Sequence, residues 1–371
     1  NSSALTIEDE FGNLLNSSVR TITRGGLPAQ GASMFINGLN SLNSIAQPLV
    51  VVDGVEWDMQ YDRSALHDGY YNNVFNLIDV EDIESVEVLK NQTALYGAKA
   101  ANGVILINTK RGESMATRIN VRVFGGYEVN PGKLSMMNSE QYRSYLAEYI
   151  GTTDYISKNP TAFNNIAFLN DDPNYAYYKL YHNSTDWQKD LYRSSFTQNY
   201  KINVEGGDDV AMYNLSLGYS QADATAEEND FNRLNIRFNT DILMFDNLTA
   251  RLDLAFSRTA ANVRDNGWAQ SYDQRNISSP GVLGLIQAPF ISPYAYYMDA
   301  TTMKLQPSDV LAGKENTTSD PTNPFNFARD FDAQPLANPY WILENGSGNN
   351  KNYMEQTFFN INFAPEYTIG K

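Results

Sequence analysis

Two hydropathy regimes divide the chain near residue 112. Before it, apolar residues come in short continuous runs; after it, they alternate with polar ones. The first run, Leu49-Val50-Val51-Val52, is largely β-branched and stops at Asp53-Gly54, a dipeptide suited to positive φ, so it predicts a buried strand ending in a tight turn. The second, Ile83 to Leu89, mixes Ile83, Val86 and Val88 with Glu84 and Glu87, and predicts a strand with one wet face. The third, Val104 to Ile107, follows Tyr96-Gly97-Ala98-Lys99-Ala100-Ala101-Asn102-Gly103, whose small residues predict two backbones approaching closely. Upstream, residues 1–47 are mixed and polar, with Gly25-Gly26, Pro28 and Gly31 breaking any helix.

Beyond Gly112 six segments keep a two-residue period. Their apolar faces carry Ile119, Val121 and Val123; Phe196, Tyr200, Ile202 and Val204; Ala211, Tyr213, Leu215, Leu217 and Tyr219; Leu234, Ile236 and Phe238; Leu248, Ala250, Leu252, Leu254 and Phe256; and Phe359, Ile361 and Phe363. The opposite faces carry Lys201, Glu205, Arg233, Arg237, Arg251 and Asp253. Short links at Gly206–Asp209 and Phe245–Asn247 alternate with longer ones at 128–194, 221–230 and 260–352. A sandwich gives no reason for that alternation, whereas a membrane barrel has tight turns at one end and extended loops at the other. Six strands do not close around a filled lumen, a feature of barrels of about 22 strands, so the chain reads as part of a longer polypeptide. Within the first long link, Met137 to Ile150 predicts a short capped helix with a stripe of Tyr142, Tyr145, Leu146 and Tyr149.

Composition narrows the chemistry. A formal charge of −16 over 371 residues excludes a phosphate-neutralising nucleic-acid binder. With no cysteine and two distant histidines, His67 and His182, neither disulfides nor a conventional zinc centre is expected. No apolar run approaches the ~18 residues of a spanning helix, so residence in a membrane would have to be as a barrel. Phosphate-cradling, zinc-protease and nucleophile-elbow motifs are missing, and no catalytic residue, metal ligand or cofactor is expected. The tract Asp171-Asp172-Pro173-Asn174 offers oxygen ligands for calcium but lacks EF-hand spacing. A soluble carbohydrate-active enzyme or adhesin is the alternative of another class, with Asp208/Asp209 or Glu227/Glu228 as acid and base, although adjacent side chains usually diverge.

As an ordered set, Gln47-Pro48-Leu49-Val50-Val51-Val52-Asp53-Gly54-Val55, Ile83 to Lys90, Ala94-Leu95-Tyr96-Gly97-Ala98 and Ala101 to Gly112 resemble the plug domain of TonB-dependent outer-membrane transporters, in detail the SusC/RagA branch. The resemblance implies a membrane all-β barrel with an N-terminal α+β plug domain: a plug over 1–115, and over 116–371 the first strands of the barrel with long extracellular loops at 128–194 and 260–352. Asp53, Gly54, Glu84, Glu87, Gly97 and Gly103 are its structural motif residues. Asn37 stands where the family usually has arginine, and no TonB box is evident, so that peptide is expected upstream of Asn1 or disordered in the mature protein. The loop between Val55 and Ile78 reads plainly as a solvated segment with locally packed aromatics. The resemblance makes Trp57, Tyr61, Arg63, Tyr70 and Tyr71, with Asn91, Gln92 and Tyr96, substrate-binding candidates on the outer side of the plug. It further implies import of oligosaccharides or peptides with a SusD-like lipoprotein, the TonB-ExbB-ExbD complex and outer-membrane lipid as partners; a siderophore or cobalamin receptor is the alternative within transport.

Overall fold

A computed structural model describes residues 4–15, 18–23, 25–28, 30–36, 38–41, 43, 45–59, 73–91, 93–130, 132–152, 157–159, 165–264, 279–312, 336–345 and 353–369. Its first part contains a helix, a hairpin and a mixed sheet. The helix α1 (Ile7–Leu14) begins at Thr6, whose N–H donates to the Asp9 carboxylate at 3.2 Å, and buries Ile7 and Phe11. This corrects the expectation that nothing helical precedes residue 47. Strands β1 (Arg20–Thr23) and β2 (Ala32–Phe35) form the hairpin. Strands β3 (Leu49–Val52), β4 (Val55–Trp57), β5 (Ile83–Leu89) and β6 (Val104–Thr109) form a sheet in the order β4-β3-β6-β5, with β3 parallel to β6.

Asp53 and Gly54 both have positive φ, at 50° and 83°, and turn β3 back into β4. At Gly103 (φ 96°) a Cβ would stand 2.7 Å from Ile36 and 3.1 Å from the Leu89 carbonyl, the crowding expected there. Gly97 differs: it has open space around it and a φ of 66°, so backbone conformation alone requires it. One face of the sheet packs Val50, Val52, Ile105 and Ile107 against α1 and the 3₁₀ turn Val74–Leu77; the other covers Val51, Val104 and Ala100. Glu84 and Glu87 point outward from β5.

All six alternating segments form strands, β7 (Arg118–Glu128), β8 (Ser195–Gly207), β9 (Ala211–Asp223), β10 (Asp230–Phe245), β11 (Leu248–Asn262) and β14 (Tyr353–Tyr367). They make one antiparallel meander in sequence order. Burial is inverted relative to a soluble sheet: Arg233 on the inner face is 1% exposed, whereas Phe359 on the outer face is 66% exposed. The inner charges are covered by the first part of the chain, and the apolar outer face meets lipid.

Strand register fixes the height of that apolar face. Outward positions of β11 are apolar from Leu248 to Phe256, and Arg258 is the first charge. The ten residue steps from Leu248 to Arg258, at about 3.3 Å each and tilted about 40°, rise about 25 Å, the height of an outer-membrane apolar band. Just above it, Gln198, Gln221, Asn232, Ala260 and Glu355 stand side by side on five strands, a nearly continuous polar row. Among the described residues no helix is long and apolar enough to cross a membrane.

The long links rise from the end opposite the tight turns. Helix α2 (Ser139–Gly151) is capped by Asn138, which accepts from the Gln141 N–H at 2.9 Å. Strands β12 (Tyr294–Asp299) and β13 (Lys304–Leu311) form a hairpin over Leu180. Trp187 Nε1 donates to the Ala288 carbonyl (2.9 Å) and the Tyr340 hydroxyl to the Asp186 carbonyl (2.9 Å), knitting the two links together.

Candidate functional site

The inner face of β10 grips the plug at five successive inward positions. Arg233 donates to the carbonyls of Leu5 (2.8 Å) and Ile78 (3.2 Å), and Asn235 to that of Leu77 (2.8 Å). Arg237 reaches the Asp53 carboxylate at 3.2 Å, and Asn239 donates to Thr109 Oγ1 and the Lys110 carbonyl, both at 2.8 Å. Asp241 accepts two bonds from Arg111, at 2.7 and 2.8 Å. The two-residue period of the strand aims every second side chain inward, so one strand supplies a polar ladder.

Two neighbouring strands complete it. Lys201 on β8 lies 2.5 Å from Asp82 and 3.3 Å from Asp79, all three almost wholly buried, and Ser216 on β9 also donates to Asp82. Gly218 makes this possible, because a Cβ there would stand 2.7 Å from Asp79 Oδ2. Burial acts to raise the Asp79 carboxyl, but Arg233 and Lys201 outweigh it and hold the group below the usual carboxylate range. Arg111 also bonds Asp253 on β11; burial acts to lower its guanidinium, and the two aspartates more than restore it. Asp53, a turn residue by sequence, does double duty: it accepts from the Thr109 N–H and hydroxyl at 2.8 and 2.9 Å as well as from Arg237. Of the inward charges named from sequence, Lys201, Arg233, Arg237 and Asp253 touch the plug. Glu205 instead pairs with Arg118 (3.8 Å) and Arg251 with Asp241 (3.5 Å).

The other end of the plug sheet is open. β4 and β5 run antiparallel to β3 and β6, so the chain leaves at Met59 and Leu89 on the end away from Arg111 and the tight turns. A cavity of about 850 Å³ lies there, lined by Gln47, Glu56, Trp57, Met59, Lys99 and Asn102. Lys99 pairs with Glu56 at 3.0 Å, and Asn102 donates to the Ile45 carbonyl at 2.6 Å. Asn91 is exposed and Leu95, beside it, is 86% exposed. Trp57 is only 8% exposed and tilts against Phe358 of β14 at 5.1 Å, so it is a floor rather than a free stacking platform. Tyr96 is half-buried against Val51, Ala100 and Val104. Tyr61, Arg63, Tyr70, Tyr71 and Gln92, like Asn37 and His67, lie outside the described residues.

Elsewhere the carboxylates are spent on structure. Asp171 pairs with Arg143 and His182, which holds it below the usual range, and Asp172 accepts from the Asn174 N–H. Glu227 pairs with Arg193 and Glu228 with Arg264, and Asp208 closes the β8–β9 turn. Among the described residues no three His, Cys, Asp or Glu are placed to hold a metal.

Sequence reading passed over Asp79, Asp82, Arg111, Asn239 and Asp241 as site residues. A usable signal was the set of charges inside the plug stretch that no apolar pattern explains.

Comparison with known proteins agrees with this geometry. Residues 6–104 match the TonB-dependent Receptor Plug Domain. The chain is 26% identical over 255 residues to the TonB-dependent receptor SusC of Bacteroides thetaiotaomicron, covering 68% of this chain and 23% of that protein. It is 30% identical over 138 residues to the TonB-dependent receptor P39 of Formosa agariphila, covering 37% and 12%. The RagAB peptide importer in its open-open state superposes with a TM-score of 0.63 at 21% identity, over 95% of this chain and 36% of that one. This chain therefore spans about a quarter or less of those curated relatives. A plug sheet held inside the opening strands of a lipid-facing meander agrees with these likenesses: residues 6–104 form a TonB-dependent receptor plug, and the chain is a homologue of the TonB-dependent receptor SusC with the fold of the RagAB importer, a type of outer-membrane β-barrel.

Proposed function

We propose that the full-length protein imports oligosaccharides or peptides across the outer membrane, with residues 1–115 as a movable plug and 116–371 as the first wall of its barrel. Ligand binds at the outward end of the plug, around the cavity floored by Trp57 and rimmed by Lys99, Glu56 and Asn102, with Asn91 and Tyr96 on the same part of the plug and Tyr61, Arg63, Tyr70 and Tyr71 as further candidate contacts. A SusD-like lipoprotein closes over it, and the TonB-ExbB-ExbD complex pulls the plug from the periplasm. The step is differential binding between closed and open states, with no covalent bond broken.

The β10 ladder is the observation that supports this most directly. A plug meant to stay put would pack apolar residues on the wall. Here the contacts are mainly ion pairs and hydrogen bonds, which water replaces at small net cost when the plug shifts. The test is deletion of the gene followed by growth on single oligosaccharides and peptide mixtures as sole nutrient. Loss of growth on one class, restored by a plasmid copy and abolished by TonB depletion, supports the reading; unchanged uptake across the panel refutes it.

A further inference from the structure

Helix α1 seats a carboxyl group that no cation among the described residues neutralises. Ile7 and Phe11, one helical turn apart, enter the plug core, and Phe11 meets Phe75 edge to face at 6.2 Å. Glu8 lies beside them, 3% exposed, and its Oε2 has no hydrogen-bond partner. Around it stand Thr6 and Asp9 of its own segment, with Glu10 in the same turn, and Asn73 at the head of the 3₁₀ turn. Asn73 already donates to Asn76 and accepts from the Phe75 N–H.

Among the described residues the cations of neighbouring elements are directed elsewhere. Arg20 of β1 is exposed, and Arg233, which reaches the Leu5 carbonyl, lies in the field of Asp79 and Asp82. A carboxylate buried without a counter-ion is costly, so the neutral acid fits this pocket. Burial pushes the Glu8 carboxyl up to about 7, ahead of the opposing pull of the first-turn N–H, Thr6 and Asn73.

We infer that Glu8 is a proton-operated catch: protonated, it lets α1 sit in the plug, and ionised, it loosens the helix and the hairpin behind it. The group's seated value lies above its free value of 4.5, so seating is strongest below that pH and declines as pH rises towards 7. From those two values the seating equilibrium falls about 40-fold between pH 5 and pH 7, and less than about twofold further by pH 8.

Hydrogen–deuterium exchange over residues 7–14 of the full-length protein in detergent micelles, corrected for intrinsic exchange at each pH, tests this. Protection in the wild type is expected to fall by about 40-fold from pH 5 to pH 7 relative to β11, and Glu8→Gln to keep the acid-side protection throughout. A flat wild-type profile, or a Glu8→Gln profile that falls in parallel with it, overturns the inference. Infrared spectra of wild-type protein carrying ¹³C-labelled glutamate need no variant: a buried protonated carboxyl titrating near 7 is expected, and its absence is equally fatal.

Discussion

Replacing Lys201 with methionine removes a charge and little else, and the consequence can be worked from the geometry. The ammonium lies 2.5 Å from Asp82 and 3.3 Å from Asp79, with all three side chains out of solvent. Removing one partner of a buried pair costs about 3–5 kcal/mol, because the orphaned charge stays behind. Ser216 still donates to Asp82 and Arg233 still faces Asp79, which puts the expectation at the lower end, about 3 kcal/mol, or roughly a 150-fold shift towards an unseated plug. The full-length protein in a planar lipid bilayer reports this as channel openings, since a seated plug blocks the lumen. Lys201→Met should open roughly 150-fold more often, and the double variant with Asp82→Asn should return to within about 1 kcal/mol of wild type, since no orphan charge remains. A single variant as quiet as wild type, or a double variant as leaky as the single, would show that this pair does not hold the plug.

Three further outcomes are expected. Arg111→Lys keeps the charge but loses the two-pronged bond to Asp241, so it should raise openings by about 1–2 kcal/mol and Arg111→Ala by more; equal effects would contradict the bidentate geometry. Gly218→Ala forces Asp79 aside and should lower the plug's thermal stability by about 1–3 kcal/mol by calorimetry, while Gly132→Ala, with open space around it, should be neutral. Phe363→Arg, at mid-height of the apolar band, should cost about 2–4 kcal/mol in a bilayer refolding titration, and Tyr353→Arg, above the polar row, about 0–1.

The wall was legible because strand alternation is local and each of the six segments carries it unaided. Its upper limits were not: β11 continues to Asn262 and β14 begins at Tyr353, because above the lipid Arg258 and Glu355 break the apolar side of the pattern while backbone pairing goes on. Asp53-Gly54 announced its turn, but the bond from Asp53 to Arg237, 184 residues away, follows only from how plug and wall are set together. Helix α1 was hidden because two turns give the period only three apolar positions, Ile7, Phe11 and Leu14, and the Thr6-to-Asp9 cap was overlooked among polar neighbours. Trp57 became a ligand candidate through the family resemblance, against the plain reading of locally packed aromatics; its packing on Phe358 depends on a strand some three hundred residues downstream.

The row of Gln198, Gln221, Asn232, Ala260 and Glu355 crosses strands tilted by about 40°, so it climbs obliquely around the wall and not parallel to the bilayer. β10 and β11 end two residues beyond the row, at Asp230 and Asn262, a rise of about 5 Å. On these two strands the wall thus stops soon after its polar row, and the superstructure beyond it is built from the inserted segments between strands. Trimming those segments would leave the wall ending in bare strand tips, with nothing of its own to roof the stopper's open end.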